Sequence, residues 1–156
     1  VGKADPADPA SKTAKEQGDR LSRRLNDHRK NITKAISTLS LEDFEYRALV
    51  VQTGYQVAAE EYLINLFKPI WNSEMNLCYG FGKHGDDPGT RANMRSPWDT
   101  MHPGRDWAHR DSKMKDARAA ERIVDDIDQH LRKHPPLSTV DEILRQFLDE
   151  MRAVSR

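Results

Sequence analysis

Ionisable residues occupy positions on two helical segments where apolar side chains belong. At about 100° per residue, Leu21, Leu25, Ile32, Ile36 and Leu39 share one face of a helix. His28 falls in the middle of that face, about 20° from Leu21, and Arg24 at its edge, about 60° away. In a second segment, Glu60 lies about 60° from Val57, among Leu63, Ile64 and Phe67, while Glu61 points aside. A histidine can accept or relay a proton near neutral pH. An arginine can stabilise charge building on a phosphate, and a carboxylate can bind a divalent cation. Each residue also has a simpler reading. His28 can be a hydrogen-bonded core histidine, Arg24 can snorkel to solvent, and Glu60 can form an ion pair, with Arg24 as a partner. Three such residues on neighbouring helices favour a site.

The elements that must hold these residues follow from periodicity and breakers. The spacing predicts a helix from Glu16–Asp19 to about Ser37, and a second from about Tyr55 to Phe67 that stops at Lys68-Pro69. Between them, Phe44 to Val51 alternates and then turns continuously apolar, which predicts a strand entering a sheet. Residues 72–115 keep no period and carry Gly80, Gly82, Gly85, Gly89 and Gly104 with the aromatics Tyr79, Phe81, Trp98 and Trp107. Loops this long are functional or disordered, and the aromatics argue against disorder. Two amphipathic helices close the chain. One uses Ile123, Val124, Ile127 and Leu131; the other uses Val140, Ile143, Leu144, Phe147, Leu148 and Met151. Pro135-Pro136 separates them, and Thr139 to Glu142 fits a capping box. The expected fold is α/β (α+β): a small, largely antiparallel sheet flanked by helices, a long glycine-rich loop and a helical tail.

The chain has 156 residues, 37% hydrophobic and 32% charged, enough for one modest core with polar extensions. Its 25 basic and 25 acidic residues cancel, which argues against coating nucleic acid by bulk charge. The distribution is uneven: residues 1–35 hold nine Lys/Arg against five Asp/Glu, and 119–156 hold six against eight. No window reads as a transmembrane span or signal peptide. The single cysteine, Cys78, excludes an internal disulfide and suits a reducing cytoplasm.

Arg24-Leu25-Asn26-Asp27-His28 resembles the helix motif of GIY-YIG nucleases, an arginine followed one turn later by histidine. Glu60, followed by Leu63-Ile64 and Lys68-Pro69-Ile70-Trp71-Asn72, resembles their metal-binding glutamate and downstream asparagine element. Val1-Gly2-Lys3-Ala4 looks like the tail of their second signature. Ser96-Pro97-Trp98-Asp99, His102-Pro103-Gly104-Arg105 and Trp107-Ala108 resemble the type II restriction branch that cuts GC-rich palindromes of the CCGCGG type. The resemblance implies a magnesium-dependent, site-specific deoxyribonuclease acting on double-stranded DNA as a homodimer. It implies that Glu60 binds Mg²⁺, that Arg24 stabilises the phosphate, that His28 handles the proton and that Asn72 fixes the glutamate region or the phosphate. Lys3 would add a phosphate contact. The signature tyrosines are expected upstream of Val1, and the segment from Val1 onward is expected to be inactive without them.

In the glycine-rich stretch, Arg91, Arg95 and Arg105 stand with Lys83 and His84. Arginine reads guanine bidentately in the major groove, which makes this the candidate recognition region. Phosphate contact or surface charge is the simpler reading of any one of them. Cys78, His84, His102 and His109 lack the paired spacing of a zinc site. The expected organisation is a catalytic core over 1–76, a DNA-recognition loop region over 77–115 and a helical hairpin over 116–156. A non-catalytic DNA-binding module, or a repair or homing nuclease of the same superfamily, remains an alternative.

Overall fold

The computed structural model describes residues 1–11, 13–35, 37–82, 94–109 and 113–154. Helix α1 (Ala14–Gln17) starts at a capping box, in which the Thr13 hydroxyl accepts from the Glu16 N–H and the Glu16 carboxylate accepts from the Thr13 N–H. Gly18 ends it at φ 72°, a conformation open to glycine. The single long helix expected to start at Glu16–Asp19 is therefore two, because the chain turns at Gly18 before α2 (Arg20–Lys34) begins. Helix α3 (Gln56–Phe67) ends as expected, with Lys68 left-handed at φ 46° ahead of Pro69.

The expected antiparallel sheet is not found among the described residues. Among the described residues the fold is helical, and the one β interaction is an isolated parallel bridge between Arg95 and Asp116. The reading of 44–51 as a strand is corrected by the same finding. A strand needs a neighbour to take its N–H and C=O groups, and no described segment pairs with this one. Its backbone is coil, and Leu49 and Val50 face solvent, Val50 at 84% exposure.

The core gathers side chains from all three expected segments. Ile32, Ala35, Cys78, Phe81, Trp98 and Ile123 form its buried centre, and Leu39, Trp71, Met101 and Ile127 pack around it. The described part of the glycine-rich stretch thus supplies core rather than only loop. It contains α4 (Pro97–Met101) and α5 (Asp106–His109), and α4 packs against α6 (Ala120–Lys133). Gly104, at φ 144°, lies so close to the end of α2 that a Cβ there would collide with the Lys34 carbonyl. Burial pushes the Cys78 thiol up to about 12, which leaves it an inert core group. The last helix, α7 (Val140–Val154), carries the expected Thr139–Glu142 capping box and sets Phe147 edge-on to Tyr62 of α3, ring centres 5.8 Å apart. Val140, Leu144 and Leu148 stay exposed. No described helix is long and apolar enough to cross a membrane.

Candidate active site

Helix α2 is amphipathic, and its apolar stripe ends in Ile32 and Ala35 of the core. That anchoring turns the His28 edge of the helix toward a cleft of about 1000 Å³. Arg24, His28 and Asn72 line this cleft, together with Val1 to Ala4 and the backbone of Gly80 to Gly82. Glu60 lines an adjoining cleft that shares Val1 to Ala4, Leu21 and Arg47 with the first. Three of the four expected catalytic residues therefore meet in one cleft. Glu60 faces the next, across the Val1–Ala4 segment.

Val1 ties the two clefts together. Its amino group donates to Asn72 Oδ1 at 3.0 Å, and Asn72 Nδ2 donates to the Val1 carbonyl at 3.1 Å. The Arg24 guanidinium lies beside Gly2 and Gly82, close enough that a Cβ on either would touch it. Among the described residues, neither Arg24 nor Glu60 has a hydrogen-bond or ion-pair partner, so the simpler reading of an Arg24–Glu60 pair does not hold there.

His28 is half-buried and stacks on Phe81, ring centres 4.8 Å apart at 20°. Burial lowers its pKa, the neighbouring Arg24 charge lowers it further, and Asp27 opposes them. The imidazole is therefore neutral at pH 7 and able to take a proton. The Phe81 carbonyl accepts from Asn31 Nδ2 at 3.2 Å, which joins the stacking partner to the same helix.

The expected recognition residues divide. Lys83, His84 and Arg91 lie outside the described residues. Lys3 is at the cleft edge and pairs with Asp5 at 3.1 Å. Arg95 pairs with Asp116 at 2.6 Å. Arg105 is 2% exposed and serves the core. Its Nε donates to Asp99 Oδ1 at 2.6 Å, Nη2 to Asp99 Oδ2 at 2.8 Å and Gly80 O at 2.9 Å, and Nη1 to Phe81 O at 3.3 Å. Its guanidinium also lies over Trp98, 4.5 Å from the ring centre. With its donors committed inside the protein, Arg105 has no face to offer a base. The cleft also holds residues that periodicity had hidden, Tyr46 and Arg47, within the supposed strand.

Among the described residues the clefts thus present an arginine and a carboxylate without partners and a neutral histidine, groups able to bind a phosphate and to move a proton. The model of the Eco29kI GIY-YIG domain matches residues 1–131, and the chain belongs to that family of restriction-endonuclease nuclease domains, which act on DNA. No curated protein and no solved structure matches the chain.

Proposed function

We propose that the protein is a type II, site-specific endonuclease that hydrolyses both strands of a short GC-rich palindrome of the CCGCGG type. The observation that carries this reading is the Arg24 guanidinium and the Glu60 carboxylate, both without partners among the described residues, on either side of the Val1–Ala4 segment. Glu60 is half-exposed at the wall of its cleft, where solvent keeps a free carboxylate tolerable and available to a ligand. No group of three metal-ligating side chains exists among the described residues. A magnesium site needs no such group, since one carboxylate with waters and phosphate oxygens suffices. Glu60 fits that role, and a bound Mg²⁺ would supply positive charge to the phosphate oxygens.

The protein's own groups do the rest. Water attacks phosphorus as the bond to the leaving oxygen breaks, and His28, held neutral, accepts or relays the proton lost by the nucleophile. Arg24 stabilises the charge gathering on the phosphate oxygens. Asn72 grips the Val1 backbone from both sides and keeps the segment between the two clefts in place. Base recognition falls to Lys83, His84 and Arg91, with Arg95 once it leaves Asp116. Residues 1–76 serve catalysis, 77–115 recognition and 116–156 form the tail. A palindrome calls for a two-fold pair of subunits.

Glu60→Gln tests this directly. In the complete protein, with the signature tyrosines present, cleavage in Mg²⁺ should be lost while DNA affinity and melting temperature stay close to the parent's. Cutting at a near-parental rate would overturn the metal-ligand role.

A further inference from the structure

We infer that Tyr46 and Arg47 form a second wall of the DNA cleft and take the phosphodiester backbone next to the phosphate held by Arg24. The inference rests on reading the cleft as a DNA-cutting site, and concerns residues which that reading does not use. The described residues lining the large cleft include four Lys/Arg, namely Lys3, Arg24, Arg29 and Arg47, against one carboxylate, Glu45. In a chain with 25 basic and 25 acidic residues, that local excess marks a place for a polyanion.

The four cations are not equally available. Lys3 is held by Asp5, Arg29 donates twice to Asn26 at 3.1–3.2 Å, and Arg24 is assigned to the reacting phosphate. Arg47 is exposed, has no hydrogen bond or ion pair among the described residues, and borders both clefts. Its neighbour Tyr46 is 70% exposed, an unusual place for an aromatic side chain with no ring contact among the described residues. A phenol donates one hydrogen bond to a phosphate oxygen, and a guanidinium donates two in parallel. The preceding turn, Leu41–Asp43, packs against α2, and Phe44 lies on Trp71 with ring centres 5.8 Å apart. Those contacts set the Tyr46–Arg47 wall at a fixed place beside the helix that carries Arg24.

The test uses the protein in a Glu60→Gln background, which leaves the DNA uncut. Binding of a short random-sequence duplex is followed by fluorescence anisotropy across a salt series. Arg47→Ala should make the slope of log affinity against log salt less negative by about 0.9, the signature of one lost phosphate contact. Tyr46→Phe should weaken binding severalfold and leave the slope alone. Arg23→Ala removes a cation tied to Asp19 outside both clefts and should leave the slope unchanged. An unaltered slope in Arg47→Ala, or an equal change in Arg23→Ala, overturns the wall. A drop in melting temperature shared by Arg47→Ala and Arg47→Lys would overturn it too, by assigning Arg47 to structure. If the Glu60→Gln protein itself binds no duplex, the nuclease reading beneath the inference fails instead.

Discussion

Two arginine–carboxylate neighbourhoods in this protein have opposite fates. Around Trp98, Arg105 and Asp99 are both buried, bound to each other through two hydrogen bonds, and backed by Ser96, whose hydroxyl donates to Asp99. Around Val1, Arg24 and Glu60 stand in adjoining clefts and have no partner among the described residues. A buried charge must be matched inside the protein, because water no longer solvates it. An exposed charge left unmatched costs little and stays free for a ligand. The buried pair therefore shapes the molecule, and the open pair is available for chemistry.

The largest expected effect falls on the buried side. Asp99→Ala leaves Arg105 uncompensated and should cost about 3–5 kcal/mol of stability, read by denaturant unfolding. The double variant Asp99→Leu with Arg105→Met should lose less than Asp99→Ala alone, because no charge is then stranded. A double variant as unstable as the single would erase the proposed distinction.

On the open side, Arg24→Ala should slow cleavage about 100- to 1000-fold, or roughly 2.7–4 kcal/mol of transition-state stabilisation. Its unfolding free energy should move by no more than about 0.5 kcal/mol, the usual range for surface changes. A large loss of stability in Arg24→Ala would place that arginine with Arg105. Arg95, paired with Asp116 but only partly buried, stands between the two cases. If it reads a guanine, Arg95→Ala should cost about 1–3 kcal/mol of specific binding and little non-specific binding. A uniform loss across sequences would leave recognition to Lys83, His84 and Arg91.

The smallest effect is on pH dependence. The folded-state pKa of His28 lies below its ordinary 6.5, chiefly through burial. The stability it contributes is thus complete above pH 6.5 and is lost as pH falls through the folded value. His28→Gln should flatten the acid side of the stability profile and remove the matching acid limb of the cleavage profile. An acid limb that survives in His28→Gln would belong to another group.

Much of this site was legible without a structure. Helical periodicity is local, so the sequence alone placed Arg24 and His28 on one helix and Glu60 on another, and located the stop at Lys68-Pro69. The Thr139–Glu142 cap was legible for the same reason, since its partners lie within one turn. A strand is different, because its partner comes from elsewhere in the chain. Phe44 to Val51 had the composition of a strand, yet no described segment pairs with it, and the place became an open wall bearing Tyr46 and Arg47. Arg105 makes the same point about charge. Nothing in its neighbours distinguishes it from Arg24; only the folded backbone brings Asp99, Gly80 and Phe81 around it and closes Trp98 over its face. Residue type and spacing determined which groups could do chemistry here, and tertiary burial decided which charges were neutralised inside the protein and which stayed open to a substrate.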